Sequence, residues 1–196
     1  MSELLEIQNL SSGYNGKAVL QDISLSVNKG EVLGIIGQNG CGKSTLLKTI
    51  ARIITDNAGD VFFAGVKLNN KNTWDLKQLG LSWFVQGGMV FPTMKVSEHF
   101  EFALKGKSKR ESEDIKENCI SFFPALASCM DKRGGNLSGG QRQMLSFAML
   151  LSQQTQCWLL DEPTAGLAPE AVKDAVDFLK KMKQQERQPQ DIFSNA

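Results

Sequence analysis

Eight consecutive residues constrain this chain more than any other feature: Gly37-Gln38-Asn39-Gly40-Cys41-Gly42-Lys43-Ser44. Ahead of them Val32–Ile36 reads as a short, fully buried strand. Behind them Thr45–Ile54 carries Leu46, Leu47, Ile50, Ile53 and Ile54 at helical spacing. Glycines at Gly37, Gly40 and Gly42 allow successive backbone N–H groups to turn inward, at the positive end of the following helix. Such a nest, with Asn39 and Cys41 in the loop, is built for polyphosphate. Lys43 can reach the β- and γ-phosphates, Ser44 offers a hydroxyl to Mg²⁺, and the backbone of Thr45 falls where the α-phosphate would lie. A glycine turn that merely precedes Lys-Ser is the alternative, and the strand before and helix after argue against it. The implied ligand is a nucleoside triphosphate.

A second feature becomes legible beside the first. Cys157-Trp158-Leu159-Leu160 is an apolar strand ending in Asp161 and Glu162. Carboxylates at the C-terminal tip of a parallel strand face the ligand crevice. Alone the pair reads as a solvated turn. Downstream of a phosphate loop, Asp161 fits a Mg²⁺-holding role through water and Glu162 a general base that polarises the attacking water.

Around these motifs strands alternate with helices, which implies an α/β fold with a mostly parallel sheet. Leu4–Leu10 and Val19–Val27 alternate as half-buried strands, and Val61–Ala64 and Leu81–Val85 are further strands. Val96–Leu104 and Glu111–Phe122 have the charged and apolar mixture of surface helices, Ser138–Leu151 is a strong helix, and Pro169–Met182 a helix with proline at its first position. The stretch from about Gly87 to Asn136 reads as an inserted helical lobe. The chain has 196 residues and a net charge of +1, with both signs scattered, so no basic face argues for nucleic acid. Cys41, Cys119, Cys129 and Cys157 show no metal-ligand spacing, and without a leader at Met1–Leu10 free thiols in a reducing cytoplasm are expected. No apolar run approaches the roughly 20 residues that span a bilayer, so any membrane role goes through a partner.

Leu137-Ser138-Gly139-Gly140-Gln141 points to a family. Two glycines behind a serine that can cap a helix form a second anion site. The five residues match the signature of ATP-binding cassette proteins without a change, and together with the other motifs the chain resembles that family from Leu4 to about Met182. The resemblance implies a P-loop NTPase (RecA-like) fold, with a parallel core, an antiparallel β subdomain and an inserted α-helical subdomain. One domain is expected over 1–183, its helical subdomain at about 87–136, followed by a polar tail at 184–196.

Several further roles are implied by the resemblance alone. Tyr14 sits where the family places a ring against adenine, and Gln86 at the position that touches Mg²⁺ or the attacking water and senses a permease. The Mg²⁺ set is then Ser44, Gln86 and Asp161, with Gln86 and Glu162 serving catalysis. Ala165-Gly166-Leu167-Ala168 takes the place where many relatives end in an acidic residue. Leu137, Ser138, Gly139, Gly140 and Gln141 would contact ATP held by a second cassette subunit, so that ATP glues two chains together. Integral membrane permease subunits are the implied partners, placing the chain on the inner face of the cell membrane.

The family continues past its last helix into a buried strand and a histidine at the γ-phosphate. Gln184–Ala196 is polar, carries Pro189 and has no apolar run, so the sequence reads as truncated or divergent there, with turnover impaired. The one histidine, His99, is expected on the surface of the helical lobe. The stretch Val85–Pro92, with Gly166-Leu167-Ala168-Pro169, looks like the ATPases of branched-chain amino-acid and urea importers. The competing readings are a soluble, non-transport cassette protein and a module that dimerises on ATP and barely turns over.

Overall fold

The two alternating stretches near the start become the long arms of a hairpin, β1 (Glu3–Tyr14) and β2 (Lys17–Asn28). Asn15 and Gly16 make its turn with φ of 50° and 76°, the left-handed pair that matches the twist of flanking strands. Leu5, Ile7, Leu10 and Ser12 are buried from β1, although Ile7 and Leu10 are three apart. A register shift between them, with Asn9 at φ 49°, absorbs the extra residue and returns Leu10 to the core face. Asn9 donates from Nδ2 to Asp22 Oδ1 at 2.8 Å across the strands. β3 (Asn57–Phe63) and β4 (Val66–Lys67) complete an antiparallel sheet of order β2-β1-β3-β4.

The computed structural model describes residues 3–55, 57–84, 90–153, 155–165, 167 and 169–184. They fall into two compact units. The first runs to Trp83 and takes in Cys157–Asp161. It contains the antiparallel sheet, α1 (Lys43–Ile50), α2 (Thr73–Gln78), and most of a two-stranded parallel sheet of β5 (Leu81–Phe84) and β6 (Cys157–Leu160). Leu46, Leu47 and Ile50 of α1 join Leu5, Ile7, Leu10, Val61, Phe63 and Leu159 in one core. At about 1.5–3 kcal/mol for each large apolar side chain buried, this cluster anchors the helix. Thr49, fully buried, donates to Ser12 Oγ at 3.0 Å or Thr45 O at 2.8 Å and ties α1 to β1.

Helix α1 ends at Ile50, four residues before the periodicity suggests. Arg52 has φ 57°, and its guanidinium donates to the carbonyls of Asn69 and Lys71, which turns the chain and leaves Ile53 exposed. α2 has too few apolar residues for the pattern to reveal it. Its local signal is the box in which Asn72 accepts from Asp75 N–H and Asp75 accepts from Asn72 N–H.

The expected strand at Val32–Ile36 is not formed: these residues have no regular structure and are exposed, Ile36 at 97%. An inner strand exists only while neighbours satisfy its N–H and C=O groups on both sides, and among the described residues none forms a ladder with this segment. Apolar content signals a need for burial and does not supply a ladder partner.

The second unit runs from Phe84 to Gln156 and resumes at Glu162. It holds α3 (Val96–Ala103), α4 (Lys109–Phe122), α5 (Gly139–Leu151) and α6 (Pro169–Gln184), with 3₁₀ turns at Pro124–Cys129 and Gly134–Asn136. α5 is the hub, burying every residue from Leu145 to Leu151. Phe147 stacks on Phe84 at 4.9 Å and meets Phe178 of α6 at 5.2 Å, and Phe123 lies 4.9 Å from Phe178. Such ring pairs add about 0.5–1.5 kcal/mol each beyond area burial.

His99 is fully buried, not on the surface. Its Nε2 accepts from Phe91 N–H at 2.9 Å and its Nδ1 lies 2.7 Å from Lys95 O, to which it donates in that tautomer. A neutral imidazole with one donor and one acceptor satisfies both backbone groups, which a pattern of charges along α3 does not reveal.

A candidate ATP site

Around the phosphate loop the backbone takes conformations that only glycine adopts cheaply. Gly40 has φ 82° and Gly42 φ 102°, and a Cβ on Gly42 would stand 2.9 Å from Leu20 Cδ2 of β2. A Cβ on Gly37 would come 2.6 Å from Cys41 Sγ. Gly42 is the N-cap of α1 and offers no side-chain acceptor, so the first amides of the helix stay open to an anion. Lys43 bends back over the loop, its Nζ donating to Gly37 O at 2.8 Å and Gln38 O at 2.9 Å. The ammonium is thereby held at the mouth of the nest. Asn39 and Cys41 are exposed, and Thr45 is buried in the first turn of α1.

The residue after Lys43 meets the second motif. Ser44 Oγ donates to Asp161 Oδ1 at 2.9 Å, joining positions 117 residues apart. Asp161 is 5% exposed at the end of β6. A hydroxyl and a carboxylate in contact are hard oxygen donors that suit Mg²⁺, which binds through one or two protein oxygens plus phosphates and water. The residues present therefore fit the ion.

Tyr14 stands at the end of β1, 45% exposed, with its ring available for stacking. Glu162 is exposed and has φ 46°, a left-handed backbone uncommon for a residue with a Cβ, while its carbonyl accepts from Ala165 N–H at 3.0 Å. In the second unit Ser138 caps α5. Its Oγ accepts from Gln141 N–H at 3.2 Å and Gln141 Oε1 accepts from Ser138 N–H at 3.1 Å. That box leaves the Ser138 hydroxyl proton free to donate. Leu137 is buried beneath, whereas Ser138 and Gly139 are exposed and Gly140 is partly so. Gln86, Gly166 and Ala168 lie outside the described residues. Gln143, which no sequence signal singled out, is buried and donates from Nε2 to Pro163 O, one residue past Glu162.

The sequence profile of the ABC transporter family matches residues 20–165. The chain belongs to the ABC transporter family. Over 180 residues it is 33% identical to a probable branched-chain amino acid transport ATP-binding protein, LivF, of Archaeoglobus fulgidus, covering 92% of this chain and 76% of that one. It is 31% identical over 197 residues to the phosphate import ATP-binding protein PstB of Tropheryma whipplei (strain Twist), covering 94% and 76%. Among solved structures, the ADP conformation of an ATP-binding cassette of an ABC transporter superposes with a TM-score of 0.82 at 27% identity, covering 95% of this chain and 79% of that one. This ABC protein is an ATPase with the P-loop NTPase fold.

All four cysteines are free thiols. Burial pushes the thiol of Cys157 up to about 11 and that of Cys119 up to about 12, Cys129 is buried, and Cys41 lies exposed in the phosphate loop. Maleimide labelling of the folded protein, read by intact mass, is therefore expected to add one group, at Cys41, and saturating Mg-ATP to block it. Labelling indifferent to nucleotide would place the ligand elsewhere.

Proposed function

We propose that this chain is the ATP-hydrolysing subunit of an ABC transporter, working as one of two cassettes that close around ATP to drive a membrane permease. The observation that carries the reading is the 2.9 Å bond between Ser44 and Asp161, because it joins the phosphate loop to the carboxylate strand in a donor set suited to Mg²⁺. In this reading Gly37, Asn39, Gly40, Cys41 and Gly42 wrap the phosphates, the amides of Ser44 and Thr45 donate to them, and Lys43 exchanges its carbonyl contacts for the β- and γ-oxygens. Tyr14 stacks on adenine. Ser44 and Gln86 would hold Mg²⁺ directly and Asp161 through water; the bound ion supplies charge neutralisation on the terminal phosphates. Glu162 accepts the proton of the attacking water.

Leu137–Gln141 of one copy meets the γ-phosphate held by the other, with the Ser138 hydroxyl and the N-terminal amides of α5 as donors. ATP thus favours the closed pair because it contacts both chains, and its cleavage releases them. The permease reading is supported by Phe91 and Phe102, rings 5.9 Å apart and 42% and 59% exposed on the helical unit. No helix among the described residues is long and apolar enough to cross a membrane. In this reading the chain sits on the cytoplasmic face through its permease. An amino acid or similar small polar solute is the proposed cargo; the LivF likeness supports it, and the PstB likeness is the competing indication.

Phosphate release titrated with Mg²⁺ tests this reading. Asp161→Asn is expected to raise the Mg²⁺ concentration for half-maximal rate by roughly 10- to 100-fold, the cost of a lost outer ligand. Unchanged Mg²⁺ dependence would remove Asp161 from the metal site.

A further inference from the structure

Glu162 holds φ 46° at the point where the chain leaves β6, and a non-glycine residue stays in that region only when its surroundings fix it. The second unit supplies at least two holds on this turn. One is local, the Ala165 N–H to Glu162 O bond at 3.0 Å. The other comes from a different element: Gln143 of α5, 8% exposed, donates its Nε2–H to the carbonyl of Pro163. Pro163 has no N–H to offer, so its carbonyl is the backbone group through which the turn can be gripped here. A buried amide is costly unless such a bond is made.

We propose that Gln143 is a positioning residue for hydrolysis: by holding the Pro163 carbonyl it keeps the Glu162 backbone left-handed and so fixes where the Glu162 carboxylate points. The proposal rests on the reading of Glu162 as the general base. Gln143 lies little more than one turn into the helix that Ser138 caps, so a helix whose start reaches for nucleotide also aims a catalytic group of its own chain. Displacing a reacting group by about 1 Å costs on the order of 10²-fold in rate, while ATP binding rests on the phosphate loop of the other unit.

The test is steady-state ATPase kinetics of Gln143→Met and Gln143→Glu in the full chain, each with and without Glu162→Gln, beside ATP affinity by calorimetry. Met keeps the length without a donor; Glu keeps the shape, replaces the donor by an oxygen and sets a negative charge against the Pro163 carbonyl. Both are expected to lower kcat roughly 10- to 100-fold with KM and ATP affinity little changed, and to cause no further loss in the Glu162→Gln background. Wild-type kcat in either variant while Glu162→Gln is inactive overturns the positioning role alone. Loss of ATP binding together with turnover in both variants overturns it too, since Gln143 would then merely hold the fold. Full turnover by Glu162→Gln itself overturns the underlying reading of Glu162.

Discussion

Glu162→Gln is expected to bind Mg-ATP like the parent chain and to hydrolyse it roughly 10²–10⁴-fold more slowly, the range that a positioned general base contributes. The substitution is nearly isosteric, so the turn that begins at the exposed Glu162 and the Ala165 N–H bond to its carbonyl are kept. What is lost is an acceptor for the proton of water. Binding and hydrolysis separate cleanly because the nest, Lys43 and the Ser44–Asp161 pair lie in the other unit and are untouched. The uncleaved nucleotide should then accumulate the closed pair of chains. Phosphate release and light-scattering mass in Mg-ATP check both halves of the statement. A monomer that still turns over at the parental rate would leave Glu162 with no catalytic part.

Lys43→Ala should weaken Mg-ATP binding by roughly 100-fold or more, since each bond from a charged donor is worth about 1.5–3 kcal/mol and in the proposed site the ammonium would serve two phosphates. The same Nζ bridges Gly37 O and Gln38 O, so its removal also loosens the loop that must hold its N–H groups inward. The effect on folding should be small. Lys43 is only partly buried, and α1 is anchored by Leu46, Leu47 and Ile50 rather than by its first residue. Calorimetric titration with Mg-ATP against a thermal melt of the same variant separates the two. Parental affinity would show that the loop is not the phosphate site.

How far these roles could be read beforehand differs from residue to residue. Ser44 and Asp161 stood out because each belongs to a motif whose residue order suggests a shared site, and the structure shows that the two touch. The capping role of Ser138 followed from serine ahead of a helical run; the return bond from Gln141 is what the structure adds. By contrast, Val32–Ile36 looked like an inner strand because apolar content signals a need for burial and says nothing about whether a ladder partner exists. His99 misled for the opposite reason. A charged neighbourhood in sequence hid an imidazole whose two nitrogens are matched to backbone groups that only the fold brings near. Gln143 was silent, because a glutamine on a helix advertises nothing until its carbonyl partner, twenty residues away, is in place.

The claim that ATP is hydrolysed between two copies is tested most directly by mixing two defective chains. One carries Lys43→Ala and keeps Ser138; the other carries Ser138→Arg and keeps its phosphate loop. Arginine at this exposed position obstructs nucleotide docking; it also removes the Oγ cap on Gln141 N–H, at about 0.5–2 kcal/mol, which a thermal melt of the variant reports. Each chain alone should be inactive. In a mixed pair, the intact Ser138 of the first meets ATP held by the intact loop of the second, and phosphate release should reappear in the mixture. A mixture as inactive as its components would contradict a shared site.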